Sequence, residues 1–264
     1  MAITDKKLFS VIIAYYKNKI ALELILKSFE YQSCKDFEVI IAEDDIKSSF
    51  SFIHDIDGFP VKHVYQDIDN GFRKNQILNK AILVSDGKYI IFIDGDCIPH
   101  HHFIKAYKKH MDEGSMLFGR RIMVSEQLTK KLYVTKDLGL LSFWNLIRSG
   151  SKRLKYGIFI PFLKQKRETG IWGHNWAVSK NHLLSVNGFD EDYQSAGVGE
   201  DVDIEYRLKR LGLQLYSIRY AAIQYHLDHK VNYSQDEVNI GKKMFQRKIS
   251  EGHIRCLNGI QKNN

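Results

Sequence analysis

The chain is short of cysteine, proline and long hydrophobic runs, and each shortage removes a class of answer. Its three cysteines, Cys34, Cys97 and Cys256, are odd in number and widely spaced, with no Cys-x-x-Cys pair. That excludes a disulfide scaffold and a zinc ribbon, and reads as free thiols in a reducing compartment. Prolines stand only at 60, 99 and 161, so no Pro-rich linker divides the 264 residues. No apolar run approaches the ~18 residues of a membrane-spanning helix. The N-terminal stretch Leu8 to Tyr16 reads as a strand with no cleavage pattern after it, and the expected location is the cytosol. No Gly-rich phosphate loop follows that strand, which argues against a nucleotidyltransferase.

What is present is an ordinary globular composition, 44% hydrophobic and 27% charged, at a length that suits one large α/β domain or two small ones. Thirty-nine Lys and Arg against 31 Asp and Glu leave +8, which favours anionic partners: nucleotides, phospholipid headgroups or nucleic acid. Only the net charge points to nucleic acid, and no such partner is expected.

The most informative stretch is Tyr89 to Pro99, YIIFIDGDCIP. Tyr89 to Ile93 has the composition of a buried parallel strand, and it ends in Asp94 and Asp96 with Gly95 between them. Residues i and i+2 of an extended segment point the same way, so both carboxylates can face one hard divalent cation, and glycine lets a ligand approach the backbone. An acidic turn chosen for Asp and Gly propensity fits the tripeptide as well.

Leu8 to Ala14 forms a first strand, Asn18 caps a helix with Ala21, Leu22, Ile25, Leu26 and Phe29 at helical spacing, and Phe37 to Ala42 forms a second strand. Strand, helix, strand at this spacing argues for a parallel sheet, whose ligands gather at strand carboxyl ends. Tyr15, Tyr16, Glu43, Asp44 and Asp45 stand there, and an aromatic ring beside a carboxylate suits a nucleobase. Val61 to Tyr65 is a third strand and Lys74 to Val84 a helix, with Arg73 before it as a candidate base or phosphate contact. His100, His101 and His102 begin a basic helix running to Met111. Three consecutive residues do not converge on one ion. Met116 to Val124 reads as a single strand. From Ser125 to Gly170 cations interleave with Phe143, Trp144, Tyr156, Phe159 and Phe162, a pattern suited either to an anionic membrane surface or to packing on the sheet. Glu200 and Asp201 open a helix after Gly197-Val198-Gly199. The macrodipole favours acids there, while the Gly-x-Gly suggests a loop that aims the pair at a ligand, where a carboxylate is placed to act as general base. Ala221 to Tyr225 is a last strand running into His226, with His229 three residues on. A strand-end His is suited to complete a metal site with Asp96 or to serve the fold.

Together these residues resemble the family 2 glycosyltransferases of the GT-A fold, over about Leu8 to His229. SVIIAYYKN is similar to the family's first strand, FEVIIAEDD to its second, IIFIDGD to its metal motif, and GFDEDYQSAGVGEDVDIEYRL to the acceptor-side motif of the galactosyltransferase and chondroitin-polymerase branch. The resemblance implies an α/β GT-A domain over 1–264, a single Rossmann-like, mostly parallel sheet flanked by helices with a C-terminal acceptor-binding part. Residues 1–99 would bind the nucleotide sugar and 100–230 the acceptor, with a variable excursion at 125–170 and a helical tail at 231–264. It implies a donor, most readily a UDP-sugar, held by Ala14, Tyr16, Asp44, Arg73, Asn79, Asp94 and Gly95. Mn2+ or Mg2+ would sit on Asp96 and His226, leaving His229 as the alternative ligand. Asp201 would be the catalytic base with Glu200 beside it, and the acceptor would meet Trp172, Gly173, Asn175 and Glu200. The activity so implied is inverting transfer of a hexose or N-acetylhexosamine to a lipid-linked or growing surface glycan, as in polysaccharide biosynthesis, at the inner face of a membrane. The alternative is an inactive nucleotide-sugar or glycan-binding protein of the same fold. The family's usual Arg-Asn reads Leu78-Asn79 here, which gives Arg73 the phosphate or base contact.

Overall fold

A computed structural model describes residues 7–48, 50, 56–195, 199–230 and 234–262. Strand β1 (Phe9–Tyr15) leads through α1 (Lys19–Glu30) to β2 (Phe37–Glu43), then β3 (Val61–Tyr65), α2 (Lys74–Val84) and β4 (Tyr89–Asp94). The short β5 (Cys97–Pro99) and α3 (Phe103–His110) follow, then β6 (Ser115–Phe118), β7 (Arg120–Met123), α4 (Glu126–Thr135), α5 (Phe143–Arg148) and β8 (Gln165–Arg167). The chain closes through β9 (Asn175–Ser179), α6 (Lys180–Ser185), α7 (Glu200–Arg210), β10 (Gln214–Ser217), β11 (Ile223–His226) and α8 (Gln235–Ser250).

Eight strands form the main sheet in the order β3-β2-β1-β4-β9-β6-β10-β8. The expected parallel arrangement holds on the β3 side, with β1 parallel to both β2 and β4. β9 enters antiparallel between β4 and β6. Alternation along β1 sends Val11 and Ile13 to one face, with Leu22, Ile25 and Phe29 of α1, and Ile12 to the other, with Ile77, Ala81 and Ile82 of α2. Each large buried apolar side chain contributes about 1.5–3 kcal/mol. Docking therefore outweighs the marginal intrinsic stability of a helix the length of α1. Asn18 caps α1 as the sequence indicates, its Oδ1 accepting from the Ala21 N–H at 3.2 Å.

The reading of Met116 to Val124 as one strand is corrected: the chain changes sheets at Gly119. There its N–H donates to the Asn175 carbonyl at 2.9 Å, and a Cβ would lie 2.2 Å from the Ala222 carbonyl oxygen. Beyond it β7 joins a second sheet, β5-β11-β7. That sheet sets His226 opposite Cys97, so β11 delivers an imidazole beside Asp96. The C-terminal helix packs on the body of the fold. Lys248 of α8 pairs with Asp190 and Asp192 at 2.5 and 2.6 Å, and Phe245 packs on Tyr206 of α7. Among the described residues, no helix is long and apolar enough to cross a membrane.

Candidate active site

Register builds the site. Ala14 lies opposite both Ala42 and Asp94, so β1, β2 and β4 end at one level and release Tyr16, Asp44 and Asp94 along the same edge. A cavity of about 780 Å³ opens there, bordered by Ala14, Tyr16, Asp44, Lys74, Gly95 and Asp96 among others. At one end Asp44 is buried, and burial raises its pKa. Its Oδ2 accepts from the Arg73 backbone N–H at 2.8 Å and its Oδ1 from Gln66 Nε2 at 3.2 Å. Tyr16 is 52% exposed at the rim, with the Lys17 ammonium 4.7 Å from its ring centroid.

At the other end three ligating groups converge. Asp96 Oδ2 lies 2.8 Å from His229 Nε2 and 3.4 Å from His226 Nε2, and the two imidazole nitrogens are 3.2 Å apart. Burial opposes ionisation of Asp96, yet hydrogen bonds from both histidines hold its carboxyl well below the ordinary range. The hydrogen bond to Asp96 pushes His229 up to about 9. One carboxylate and two imidazoles within 4.8 Å of one another form a donor set that a divalent metal fits. Asp94, Asp96 and Cys97 form a second such group, and His100 to His102 do not. The triad is put together by main chain: Gly95 donates its N–H to the Ala14 carbonyl at 2.8 Å, and Leu227 donates to the Asp96 carbonyl at 2.9 Å.

A narrow recess shares Ala14 and Lys74 with the cavity and is lined by Gly173, Glu200 and Asp201. Asp201 sits in the first turn of α7, after Gly199, whose φ of +146° is glycine territory and whose missing Cβ would lie 2.4 Å from the Tyr193 ring. Gly197 and Val198 lie outside the described residues. Burial and the neighbouring Glu200 charge push Asp201 up to about 7. The same helix fixes the opposite wall, because Glu205 Oε2 accepts from the Gly170 and Ile171 N–H groups at 3.0 and 2.7 Å and so sets Trp172 and Gly173.

Three expected contacts are taken up by the fold. Arg73 offers Asp44 its backbone, while its guanidinium turns away to the Ile68 carbonyl and its side chain borders a separate cavity with Asn75 and Glu191. Asn79 is buried, donating to the Phe189 carbonyl and Glu191 and accepting from the Phe189 N–H. Asn175 is buried too, its amide between Tyr107 Oη at 2.6 Å and the Ala222 carbonyl at 3.0 Å, so it ties sheets together where an acceptor contact was expected.

Several site residues escape a sequence reading. Lys74 Nζ lies 3.1 Å from Asp94 Oδ1; burial would lower its pKa, but Asp94 and Glu200 hold it above the ordinary lysine value. A cation in the first turn of a helix opposes the macrodipole, and that was the available signal. Arg121 Nη1 stands 3.7 Å from Asp94 Oδ2 and from Cys97 Sγ. Two arginines inside the apolar strand MLFGRRIMV marked it. His174 is buried with neither ring nitrogen bonded, and burial with the Arg121 and Arg120 charges keeps it neutral.

The fold has close counterparts among solved structures. TarS of S. aureus with UDP-GlcNAc superposes at a TM-score of 0.58 and 15% identity, covering 91% of this chain and 66% of that one. The mannosyltransferase PcManGT of Pyrobaculum calidifontis, with GDP-Man and Mn2+, gives 0.55 at 16%, covering 87% and 59%. GalNAc-T7 with UDP, GalNAc and Mn2+ gives 0.57 at 12%, covering 86% and 45%. The chain thus spans from under half to about two thirds of these proteins, and it has their GT-A fold. A search of curated proteins gives no match. Residues 10–184, more than half of the sequence, match the description "Glycosyl transferase family 2". The chain belongs to that family.

Proposed function

We propose that the protein is an inverting, metal-dependent glycosyltransferase that moves a sugar from a UDP-sugar to a hydroxyl of a lipid-linked or growing surface glycan. The observation that carries this reading is one continuous site. An aromatic ring and a buried carboxylate stand at one end of the cavity, and at the other Asp96 and His229 border it with the buried His226 beside them. A recess holding one carboxylate of raised pKa adjoins them. The base would stack on Tyr16 and donate an N–H to Asp44. UDP in the TarS and GalNAc-T7 complexes supports that choice of nucleotide.

Asp96, His226 and His229 would hold the metal, and two imidazole ligands favour Mn2+ over Mg2+. Such an ion, when bound, offsets the charge of the departing diphosphate. Lys74 and Arg121 add fixed positive charge beside Asp94. Asp201 takes the proton of the acceptor hydroxyl as that oxygen forms its bond to the anomeric carbon, on the face opposite the diphosphate. The anomeric C–O bond breaks, its electron pair leaves on the diphosphate, and one displacement inverts the centre. Glu200 binds the acceptor or orients Asp201, and Trp172 and Gly173 line its approach. Trp144 and Phe162, 69% and 73% exposed in a stretch that carries Arg148, Lys152 and Lys155, support work at an anionic membrane surface. The test is UDP release over a panel of nucleotide sugars with Mn2+ or chelator, with the anomeric configuration of the product read by NMR. Metal-dependent turnover of one donor with inversion is expected; retention, or no turnover of any donor, refutes the proposal.

A further inference from the structure

β7 carries two arginines in succession, and strand alternation sends them to opposite sides. Arg121 faces Asp94, as described. Arg120 goes to the acceptor wall, where its guanidinium is sandwiched between two rings, 4.2 Å from the Phe118 centroid and 4.1 Å from that of Trp172. Its Nη1 is anchored on the Gly119 and Gly170 carbonyls at 3.0 and 2.9 Å. Arg153 approaches the same indole at 5.9 Å. Its position is also built in, because the preceding residue, Lys152, exchanges both main-chain hydrogen bonds with Met123 of β7, at 3.0 and 2.8 Å. Trp172 is 43% exposed and Arg153 is exposed.

Among the described residues, no carboxylate forms an ion pair with Arg120, Arg153 or nearby Arg219, although the chain pairs many of its other cations. Burial and the repulsion of Arg219 and Arg153, only partly relieved by Tyr156 and Glu205, lower Arg120 to about 10. Glu205 is already bonded to the Gly170 and Ile171 N–H groups. Positive charge gathered around an aromatic face without a carboxylate partner leaves that face ready to take an anion from a ligand. The residue after Trp172 is Gly173, which lines the recess of Asp201.

We infer that Trp172, Arg120 and Arg153 form an anion subsite for the acceptor, reading a phosphoryl or carboxylate group carried by the glycan close to the hydroxyl that is glycosylated. The inference rests on the glycosyl-transfer reading above and names the acceptor class for it: an acidic glycan. Neutral sugars would find the aromatic face but bring no anion to the guanidinium groups.

The test uses the full chain and separates the two readings. UDP binding with Mn2+ is measured first; its absence counts against the nucleotide-sugar reading, independently of the subsite. With UDP bound, matched probes are then compared by fluorescence and saturation-transfer NMR: glucose 6-phosphate against glucose, and methyl glucuronide against methyl glucoside. The wild type is expected to prefer the anion by roughly 10-fold, the scale of a charge-assisted contact. Arg153→Glu, an exposed substitution, should reduce that ratio to about one, and Arg153→Lys should keep part of it. UDP bound normally with no preference for the anionic probes overturns the subsite, and so does a preference unchanged in Arg153→Glu. Vesicles of phosphatidylcholine with and without phosphatidylglycerol form the last arm. If Arg153→Glu weakens vesicle binding while the soluble anions show no preference, the charge serves a lipid surface and the acceptor subsite is overturned.

Discussion

Replacing Lys74 by methionine should move the acid limb of the transfer reaction to higher pH. Burial and Glu200 push Asp201 up to about 7, and Lys74 restrains it more than the backbone hydrogen bonds of Val202 and Asp201 do. An opposite charge at close range shifts a carboxyl by about 1–3 pH units, and the partial exposure of Asp201 puts the expected shift near 1. A base must be ionised to accept a proton. At pH 6 about a tenth of a group of pKa 7 is ionised, and after the shift about a hundredth. At pH 6, kcat/KM for the acceptor should therefore fall roughly tenfold more than at pH 9, beyond any pH-independent loss of diphosphate affinity. The assay is a profile from pH 5.5 to 9.5 at saturating donor, repeated at two Mn2+ concentrations. His229, pushed up to about 9 by its hydrogen bond to Asp96, also opposes metal binding at low pH, but that limb moves with Mn2+ and the Asp201 limb does not. A Lys74→Met profile that overlays the wild type after scaling would refute the argument.

Asp201→Asn should stabilise the protein at pH 8 by about 4 kcal/mol, at about 1.4 kcal/mol for each pH unit between 3.8 and about 7, and change it little at pH 4. The folded pKa lies above the ordinary value of 3.8, so the folded state binds the proton more tightly and loses stability as pH rises through about 4 to 7. Thermal unfolding at the two pH values checks the sign; an equal change at both would contradict it. His226→Ala and His229→Ala should each weaken Mn2+ by about tenfold or more in equilibrium titrations read by electron paramagnetic resonance. Unchanged affinity would remove that residue from the triad. Asn79→Ala should cost about 1–3 kcal/mol, because the Phe189 N–H and the Phe189 carbonyl both lose their partner, while UDP affinity stays as in the wild type. A weakened UDP site in a normally stable variant would return Asn79 to the donor.

The strands that frame the large cavity were legible because buried parallel strands are written as unbroken apolar runs, and Asp94 and Asp96 stood out by ending one. His226 was legible as the residue into which the last expected strand runs, at the end of β11. What escaped depends on contacts between distant residues. The break at Gly119 exists because the Ala222 carbonyl occupies the space of a side chain, and nothing local announces that. β9 enters antiparallel in the middle of the sheet, a pairing that periodicity does not encode. Arg73 was expected to offer its guanidinium, and it is the N–H, which every non-proline residue has, that meets Asp44. Asn79 and Asn175 are polar residues in functional neighbourhoods whose amides satisfy buried backbone groups, and only burial separates that role from ligand binding. Lys74 and the Arg120, Arg121 pair carried a signal of another kind, charge where local structure disfavours it.

Donor binding and sugar transfer are to be compared in Asp96→Asn and Asp201→Asn, on the donor that the panel identifies. Asp96→Asn is expected to lose both metal-dependent UDP-sugar binding and transfer. Asp201→Asn should bind the donor as the wild type does, yet transfer at least about 100-fold more slowly, the lower scale of general-base catalysis. Transfer by Asp201→Asn at the wild-type rate, or donor binding untouched by Asp96→Asn and by chelator, would contradict the roles proposed for these two carboxylates.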